Sequence, residues 1–341
     1  LGIIKMDDQM VNSISRPAEG IIDRYPELCR GIGKLKEYQM KLDIDQTVKP
    51  TVQACRTIPY HLLKTVDEEI EKLLAADIIE PVSSPTTWCS PLQVVTQKSG
   101  EPRLCVDLRQ ANKAVQRVHF PIPTLEDVTD KVAGSVLFSK IDLKKGYHQI
   151  ELHPDSRDIT TFRYPGGIYR YKRLVFGLSS AFELFQQKIN ELFVNQTGII
   201  NISDDILVFG RTQQEHDENL ETCLSILSDR GLTINRAKCV FRVSELEYYG
   251  FIISGNGMRA TESKVISIKA TPNPKNPKEV RSFLGLVNYL GRFIPDLSTI
   301  SAPLRALTTK GYSWRWTLVE EECFNKLKNI VSSQDMICLL Y

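Results

Sequence analysis

The stretch Ile199–Gly210, IINISDDILVFG, sets two adjacent aspartates, Asp204 and Asp205, between two runs of apolar residues. The flanking runs read as the strands of a buried hairpin, and an ionised carboxylate taken out of water is costly. Ser and Asp favour turns because their side chains bond nearby backbone groups, so Ser203, Asp204 and Asp205 need do no more than shape the turn. A third carboxylate shifts that balance. In Phe138–Ile150, FSKIDLKKGYHQI, Asp142 lies in a second strand-like run between Ile141 and Leu143. Three carboxylates at the ends of neighbouring strands repel unless divalent cations neutralise them. Mg²⁺ suits such a site, being hard, octahedral and held by a few carboxylates together with substrate phosphates. Two such ions stabilise both oxygens of an in-line phosphoryl displacement.

Composition frames this reading. A chain of 341 residues is too long for one ordinary core and implies two or three domains or subdomains. Its 42% hydrophobic and 25% charged residues are those of a soluble globular protein. No run approaches the roughly 18 apolar residues of a membrane helix, and Leu1–Met10, LGIIKMDDQM, is no signal peptide. An intracellular protein without a membrane partner is expected, in a cytoplasmic particle or the nucleus. The first residue is not Met, and the chain opens as a piece of a longer polypeptide would. The eight cysteines, 29, 55, 89, 105, 223, 239, 323 and 338, have no zinc spacing and suit a reducing compartment.

Net charge is only +2, but it is unevenly spread. Residues 255–310 hold nine Lys or Arg against three acids, an excess of +6, whereas residues 1–90 hold eleven against fourteen, or −3. The basic segment fits a phosphate-facing surface or a solvated helical face equally well.

Along the chain, residues 1–60 read as an irregular, linker-like arm. In His61–Pro81 the apolar positions Val66, Ile70, Leu73, Leu74 and Ile78 have helical spacing, with Pro81 as the stop. Leu92–Thr96 and Arg103–Leu108 read as strands joined by a turn containing Lys98, Ser99 and Gly100. A further strand is expected near Phe138–Leu143, then a helix in Ala181–Val194, the Asp-Asp hairpin, and an amphipathic helix ending at Gly231. Beyond Gly257 the pattern is helical, interrupted at Thr271–Glu279 by a stiff linker with Pro272, Pro274 and Pro277. Strands and helices mix without βαβ regularity, so the fold class is α+β.

Across nearly its whole length the chain resembles the reverse transcriptase of gypsy-class LTR retrotransposons. PRLCVDLRQANKAV (Pro102–Val115) is similar to that family's fingers motif, FSKIDLKKGYHQI to its first metal-binding motif, and YKRLVFGLSSAFELFQ (Tyr171–Gln186) to its FGLxxAPxxFQ motif. ISDDILVFG stands at its YxDD box. GLTINRAKC (Gly231–Cys239) and LEYYGFIIS (Leu246–Ser254) follow, and EVRSFLGLVNYLGRFI (Glu279–Ile294) resembles its thumb signature. One such motif is weak; seven in order are strong.

The resemblance implies a right-hand polymerase of fingers, palm and thumb, whose antiparallel palm sheet carries the catalytic aspartates. It implies an arm at 1–59 after a preceding protease, fingers and palm at 60–256, a thumb at 257–310, and at 311–341 the start of a connection toward an RNase H domain. It also implies RNA-directed DNA synthesis from dNTPs on an RNA template, with RNA/DNA or DNA duplex as product and protease, RNase H and integrase as neighbours in one polyprotein. Asp142, Asp204 and Asp205 would hold two Mg²⁺ ions, with Mn²⁺ as the alternative. Lys98 and Arg103 would clamp the triphosphate, Arg as a fork and Lys as a point charge. Tyr147 would lie under the nucleotide sugar and leave no space for a 2′-hydroxyl. Phe176 and Gly177 would border nucleotide and template. Tyr248, Tyr249 and Gly250 would make a primer-gripping hairpin. Arg281, Asn288 and Arg292, on a helix of the basic segment, would face the duplex backbone.

Three positions depart from the family pattern. Ile202 stands where Tyr is usual, and Val175 and Phe182 stand where Pro is usual. None removes a carboxylate. The sequence therefore supports two readings: a working polymerase of lowered efficiency, and an inactive relic or host-adopted binding module with the same fold.

Overall fold

The strands expected around the three aspartates lie in one sheet. The computed structural model describes residues 20–96, 102–309, 311–332 and 337–339. They divide into two units: the first holds residues up to Thr124, Ser139–Gly210 and Gln214–Arg242, the second Leu125–Phe138, Arg211–Gln213 and the chain from Val243 onward.

In the first unit, β1 (Ile79–Pro81), β2 (Ser90–Thr96), β3 (Pro102–Val106), β5 (Phe162–Tyr164) and β6 (Gly167–Tyr171) form a sheet ordered β1-β6-β5-β2-β3. Its pairs are antiparallel except β2 with β5. A second sheet is ordered β7-β8-β4-β9, with β4 (Leu137–Asp142), β7 (Ile199–Ile202), β8 (Asp205–Gly210) and β9 (Val240–Val243). The helices α1 (Tyr60–Ala75), α3 (Ala181–Phe193) and α4 (Gln213–Asp229) accompany these sheets. One core, including Ile70, Ile141, Phe162, Phe185, Ile206 and Leu224, joins them.

The second unit has the sheet β10 (Glu245–Tyr248), β11 (Phe251–Ser254), β12 (Gly257–Ala260) and β13 (Ile337–Leu339), every pair antiparallel. With it go α2 (Leu125–Val132), α5 (Glu262–Lys269), α6 (Pro277–Tyr289), α7 (Leu297–Ile300), α8 (Ala302–Ala306) and α9 (Leu318–Ser332). Phe251, Phe283, Val287, Leu304 and Phe324 lie in its separate core. No helix among the described residues is long and apolar enough to cross a membrane.

Four expectations need correction. First, α1 stops at Ala75, not near Pro81. Asp77 takes φ 54°, its N–H donates to Leu74 O at 3.0 Å, and Ile78 N–H donates to Leu73 O at 3.0 Å. That crossed pair of bonds is the left-handed helix ending usually given to Gly; Ile78 and Ile79 then enter the core instead of extending the stripe. Second, β3 ends at Val106, because Asp107 turns its carboxylate onto Arg56 and Arg109. Third, residues 20–59 pack instead of linking: Ile21, Ile22, Leu28, Leu35, Met40 and Leu42 are buried in the first core. Their apolar residues have no period because the segment runs over several elements. Fourth, Arg292 lies past the end of α6, in a 3₁₀ turn Gly291–Phe293.

Candidate active site

Apart from Asn201 and Asp205 the hairpin β7–β8 is apolar, and all of it but Asp205 is buried, so its register is fixed by packing: Ile199 faces Val208 and Ile202 faces Asp205. Only Ser203 and Asp204 remain for the turn, and Ser203 takes φ 56°. A two-residue turn of this kind throws both carboxylates to the strand end. Asp142 ends β4, two strands from β7 in the same sheet. Leu143 N–H donates to Asp204 O at 2.8 Å, so the residue after the first acid is tied directly to the second. Asp142 itself is pinned at both backbone atoms: its N–H donates to Cys239 Sγ at 3.4 Å, and its carbonyl accepts from Asn235 N–H at 2.8 Å.

Electrostatics tie the three acids together. Burial raises the Asp142 carboxyl, Lys238 draws it down, and Asp204 raises it further. Lys238 Nζ stands 3.7 Å from Asp142 Oδ2. Burial also raises Asp205, against Lys140, and the charges of Asp204 and Asp142 add to the rise. Among the described residues no three His, Cys, Asp or Glu side chains are gathered into a metal-holding group. The acids therefore share one field without forming a closed cage. As hard oxygen donors that burden one another with charge, they suit a hard divalent cation.

Tyr147 lies beside them in the 3₁₀ turn Gly146–Gln149. Its ring is only 8% exposed, edge-on to Phe176 at 4.3 Å and tilted on Phe185 at 4.9 Å. Burial raises its phenol, and a hydrogen bond with Ser203 of the turn opposes that rise. The turn can approach because residue 146 is Gly: a Cβ there would come within 2.9 Å of the Phe185 ring and 3.2 Å of Asp204 Cβ. Phe176 is 44% exposed, with the Arg103 guanidinium 5.5 Å from its ring centre. Gly177 follows at φ 86°, a conformation that favours Gly. Lys98 lies outside the described residues.

The departures from the expected pattern are packed smoothly. Ile202 and Val175 are buried, and Phe182 packs against the core from the first turn of α3. Ile202 is buried opposite Asp205 in the ladder, at the end of β7 before the turn.

The remaining expected residues belong to the second unit. Tyr249 and Gly250, at φ 48° and 75°, form a two-residue turn between β10 and β11, the mirror-image type that matches strand twist. Tyr248 is 1% exposed, so its ring serves packing, and the turn offers Tyr249 and Gly250. Arg281 and Asn288 lie two turns apart on α6 and are exposed. Asn288 Oδ1 accepts from Arg305 at 3.0 Å; Arg292 pairs with Glu126 at 3.0 Å and lies over Phe251.

Two amides absent from the sequence-based set organise the first unit's site. Asn112 donates to Gly177 O and accepts from Ser179 N–H, both at 2.8 Å, holding the loop that carries Phe176. Gln186 accepts from Ser203 N–H at 2.6 Å and donates to Asn201 O at 2.8 Å. Both sit inside motifs that were legible, RQANKAV and ELFQ, but an amide's partners are not written in its neighbours.

Comparison with known proteins agrees with this arrangement. Residues 95–253 match the family described as reverse transcriptase (RNA-dependent DNA polymerase). The Transposon Tf2-3 polyprotein of Schizosaccharomyces pombe is 32% identical over 282 residues, 82% of this chain and 21% of that protein. The Tf2-7 polyprotein of the same organism gives the same figures. The chain thus spans about a fifth of the curated relatives it matches. Among solved structures, the foamy viral protease-reverse transcriptase in complex with dsDNA superposes with a TM-score of 0.83 at 25% identity, covering 94% of this chain and 68% of that one. Its counterpart with RNA/DNA hybrid gives 0.80 at 25% identity, covering 94% and 44%. With the acid-bearing sheet and the ordered motifs, these likenesses place the chain among the reverse transcriptases of retrotransposon polyproteins.

Proposed function

We propose that this chain extends a primer with deoxynucleotides on an RNA template, as the polymerase domain of a larger polyprotein that also holds protease, RNase H and integrase and acts inside the cell. The observation that carries this is the joining of Asp142 to the Asp204–Asp205 turn through the Leu143–Asp204 backbone bond, with burial and mutual charge raising Asp142 and Asp205. Asp142, Asp204 and Asp205 would hold two Mg²⁺ or Mn²⁺ ions, which when bound neutralise charge on both oxygens of the displacement. Gly146 lets the aspartate turn lie against the Tyr147 turn. Tyr147, wedged between Phe176 and Phe185, presents a rigid edge that excludes a ribose 2′-hydroxyl. Arg103, beside Phe176, and Lys98 would bind the triphosphate, and Gly177 leaves room for template and nucleotide. Tyr249, Gly250, Arg281, Asn288 and Arg292 would grip primer and duplex through backbone contacts. The complexes of the foamy viral enzymes with dsDNA and RNA/DNA hybrid support duplex as the partner.

Ile202 favours a second reading, a relic with the same fold, because an aliphatic chain cannot supply the ring and hydroxyl that would position a primer end. Primer extension on poly-rA/oligo-dT with Mg²⁺ or Mn²⁺ separates the two. Extension that Asp204→Asn abolishes, without loss of fold or template binding, is the expected result, and Ile202→Tyr should raise rate and processivity. Synthesis by the Asp204→Asn protein would end the catalytic assignment, and no synthesis by any form would favour the relic.

A further inference from the structure

Among the described residues, strand β7 is an edge strand of its sheet, paired with β8 on one side only. Alternation of the antiparallel ladder turns Ile200 and Ile202 toward β8 with their N–H and C=O groups, and turns the backbone groups of Asn201 outward. An outward edge that is buried must find partners elsewhere, because an unpaired buried backbone group costs about as much as a lost hydrogen bond. Helix α3 supplies a partner for Asn201 O and for Ser203 N–H through one side chain. Gln186 is completely buried; its Oε1 accepts from Ser203 N–H at 2.6 Å and its Nε2 donates to Asn201 O at 2.8 Å. The amide thus bonds the strand as a neighbouring strand would, spanning Ile202 at the point where the chain turns into Asp204.

The turn needs this. Ser203 is a non-glycine residue at φ 56°, a conformation uncommon for such residues. The two carboxylates that follow repel each other and Asp142, which pushes the turn away from β4. Among the attachments that oppose the push are Leu143 N–H on Asp204 O, from the β4 side, and the Gln186 amide, from the α3 side. Phe185, the preceding residue on α3, holds the Tyr147 ring at 4.9 Å. One turn of α3 therefore fixes both the nucleotide-facing ring and the acid-bearing turn.

We infer that Gln186 is a positioning residue for phosphoryl transfer: its side-chain amide completes the open edge of β7 and sets where Asp204 and Asp205 stand. The inference rests on the polymerase reading above. Gln186→Met removes both bonds at nearly constant volume. Gln186→Glu keeps the acceptor for Ser203 N–H but, as an ionised carboxylate, loses the donor toward Asn201 O, and it carries the test if the Met protein does not fold.

Two measurements are made on the chain as it stands. Hydrogen–deuterium exchange of the peptide spanning Asn201–Asp205 is expected to quicken roughly tenfold or more in Gln186→Met, with β4 unchanged. Primer extension should lose about 10- to 100-fold in kcat, the range that follows from misplacing reacting groups by ~1 Å. KM for dNTP and template should move much less, the requirement for Mg²⁺ should rise, and the Glu protein should fall between. Wild-type exchange at Asn201–Asp205, or a kcat equal to wild type, would overturn the positioning role while leaving the polymerase reading intact. A wild-type chain that extends no primer in either metal would overturn that reading, and this assignment with it.

Discussion

Burial and the charges of Asp204 and Asp142 raise the Asp205 carboxyl, with Lys140 and Lys238 pulling it down. A carboxyl whose folded pKa lies above its unfolded value binds protons more readily in the native state. Its contribution to stability is therefore lost as pH rises from the ordinary carboxylate range toward the raised value, and at neutral pH without metal the ionised group weakens the fold. Asp205→Asn should raise Tm in EDTA by about 2–4 °C, equivalent to ~1 kcal/mol in a unit of this size, while extension disappears. Calorimetry with chelator checks the first half; an unchanged or lower Tm would mean that the lysines already offset the repulsion. His148 acts in the opposite pH range. Burial lowers its imidazole to about 4, against a hydrogen bond at 3.1 Å with Leu174 O. The unfolded chain binds that proton first, so stability is expected to fall as pH drops from about 6.5 to about 4, by on the order of 3 kcal/mol. His148→Asn should flatten the slope of Tm against pH in that window, even with lower stability overall. Tyr147→Val carries two effects. Opening the sugar space should raise the rNTP/dNTP ratio, and the cavity against Phe176 and Phe185 should cost about 2 kcal/mol. An unchanged ratio in a folded, active variant would reduce Tyr147 to packing.

Among elements, the turn at Gly146 and the hairpin β7–β8 form one working assembly. Gly146→Ala places a Cβ 2.9 Å from an aromatic ring that is completely buried and 3.2 Å from Asp204 Cβ. Neither neighbour is the free end of a flexible chain, so the aspartate turn must shift. The expected outcome is a loss of about 100-fold in extension with a destabilisation of only ~1–3 kcal/mol, because strain at the site reaches the chemistry before it reaches the core. Parallel measurement of kcat and of the denaturant midpoint tests this. Equal losses in a distant glycine variant such as Gly285→Ala, whose Cβ would meet nothing within 4 Å, would point to general fragility instead.

For the molecule as a whole, a net charge of +2 means that the proposed nucleic-acid binding would rest on local surfaces such as the basic segment of the second unit. Such binding releases counterions from phosphates, so its affinity falls steeply with salt. Arg281→Ala should weaken duplex binding about equally for unrelated sequences and reduce the slope of log K against log salt by about 1. Anisotropy titrations between 50 and 200 mM salt, conditions over which the effect is large, decide the matter. A loss confined to one sequence, or an unchanged slope, would remove Arg281 from the duplex surface.

The sequence by itself determined which residues carry charge into buried strands. Asp142 and the Asp204–Asp205 pair stand out because a carboxylate amid isoleucines and leucines is costly, and the apolar runs beside them read as strands. It determined the α+β class and the Asp-Asp hairpin, both read from the apolar pattern, whereas the hairpin's register and the two-residue turn at Tyr249 and Gly250 came from the structure. Tertiary structure alone decided how those pieces are held. The Leu74 to Ile78 spacing looked helical, yet Asp77 ends the helix left-handed because Ile78 and Ile79, the latter opening β1, gain more by burial in the first core. Tyr248 looked available and is core. Residues 20–42 showed no period but fill one side of the first unit, since burial against many partners leaves no repeat in the chain. Gln186 and Asn112 were ordinary amides until the fold brought each to a pair of backbone groups that it bonds. Hydrogen-bond complementarity between residues far apart in sequence is a property of three-dimensional contact, and periodicity carries no trace of it.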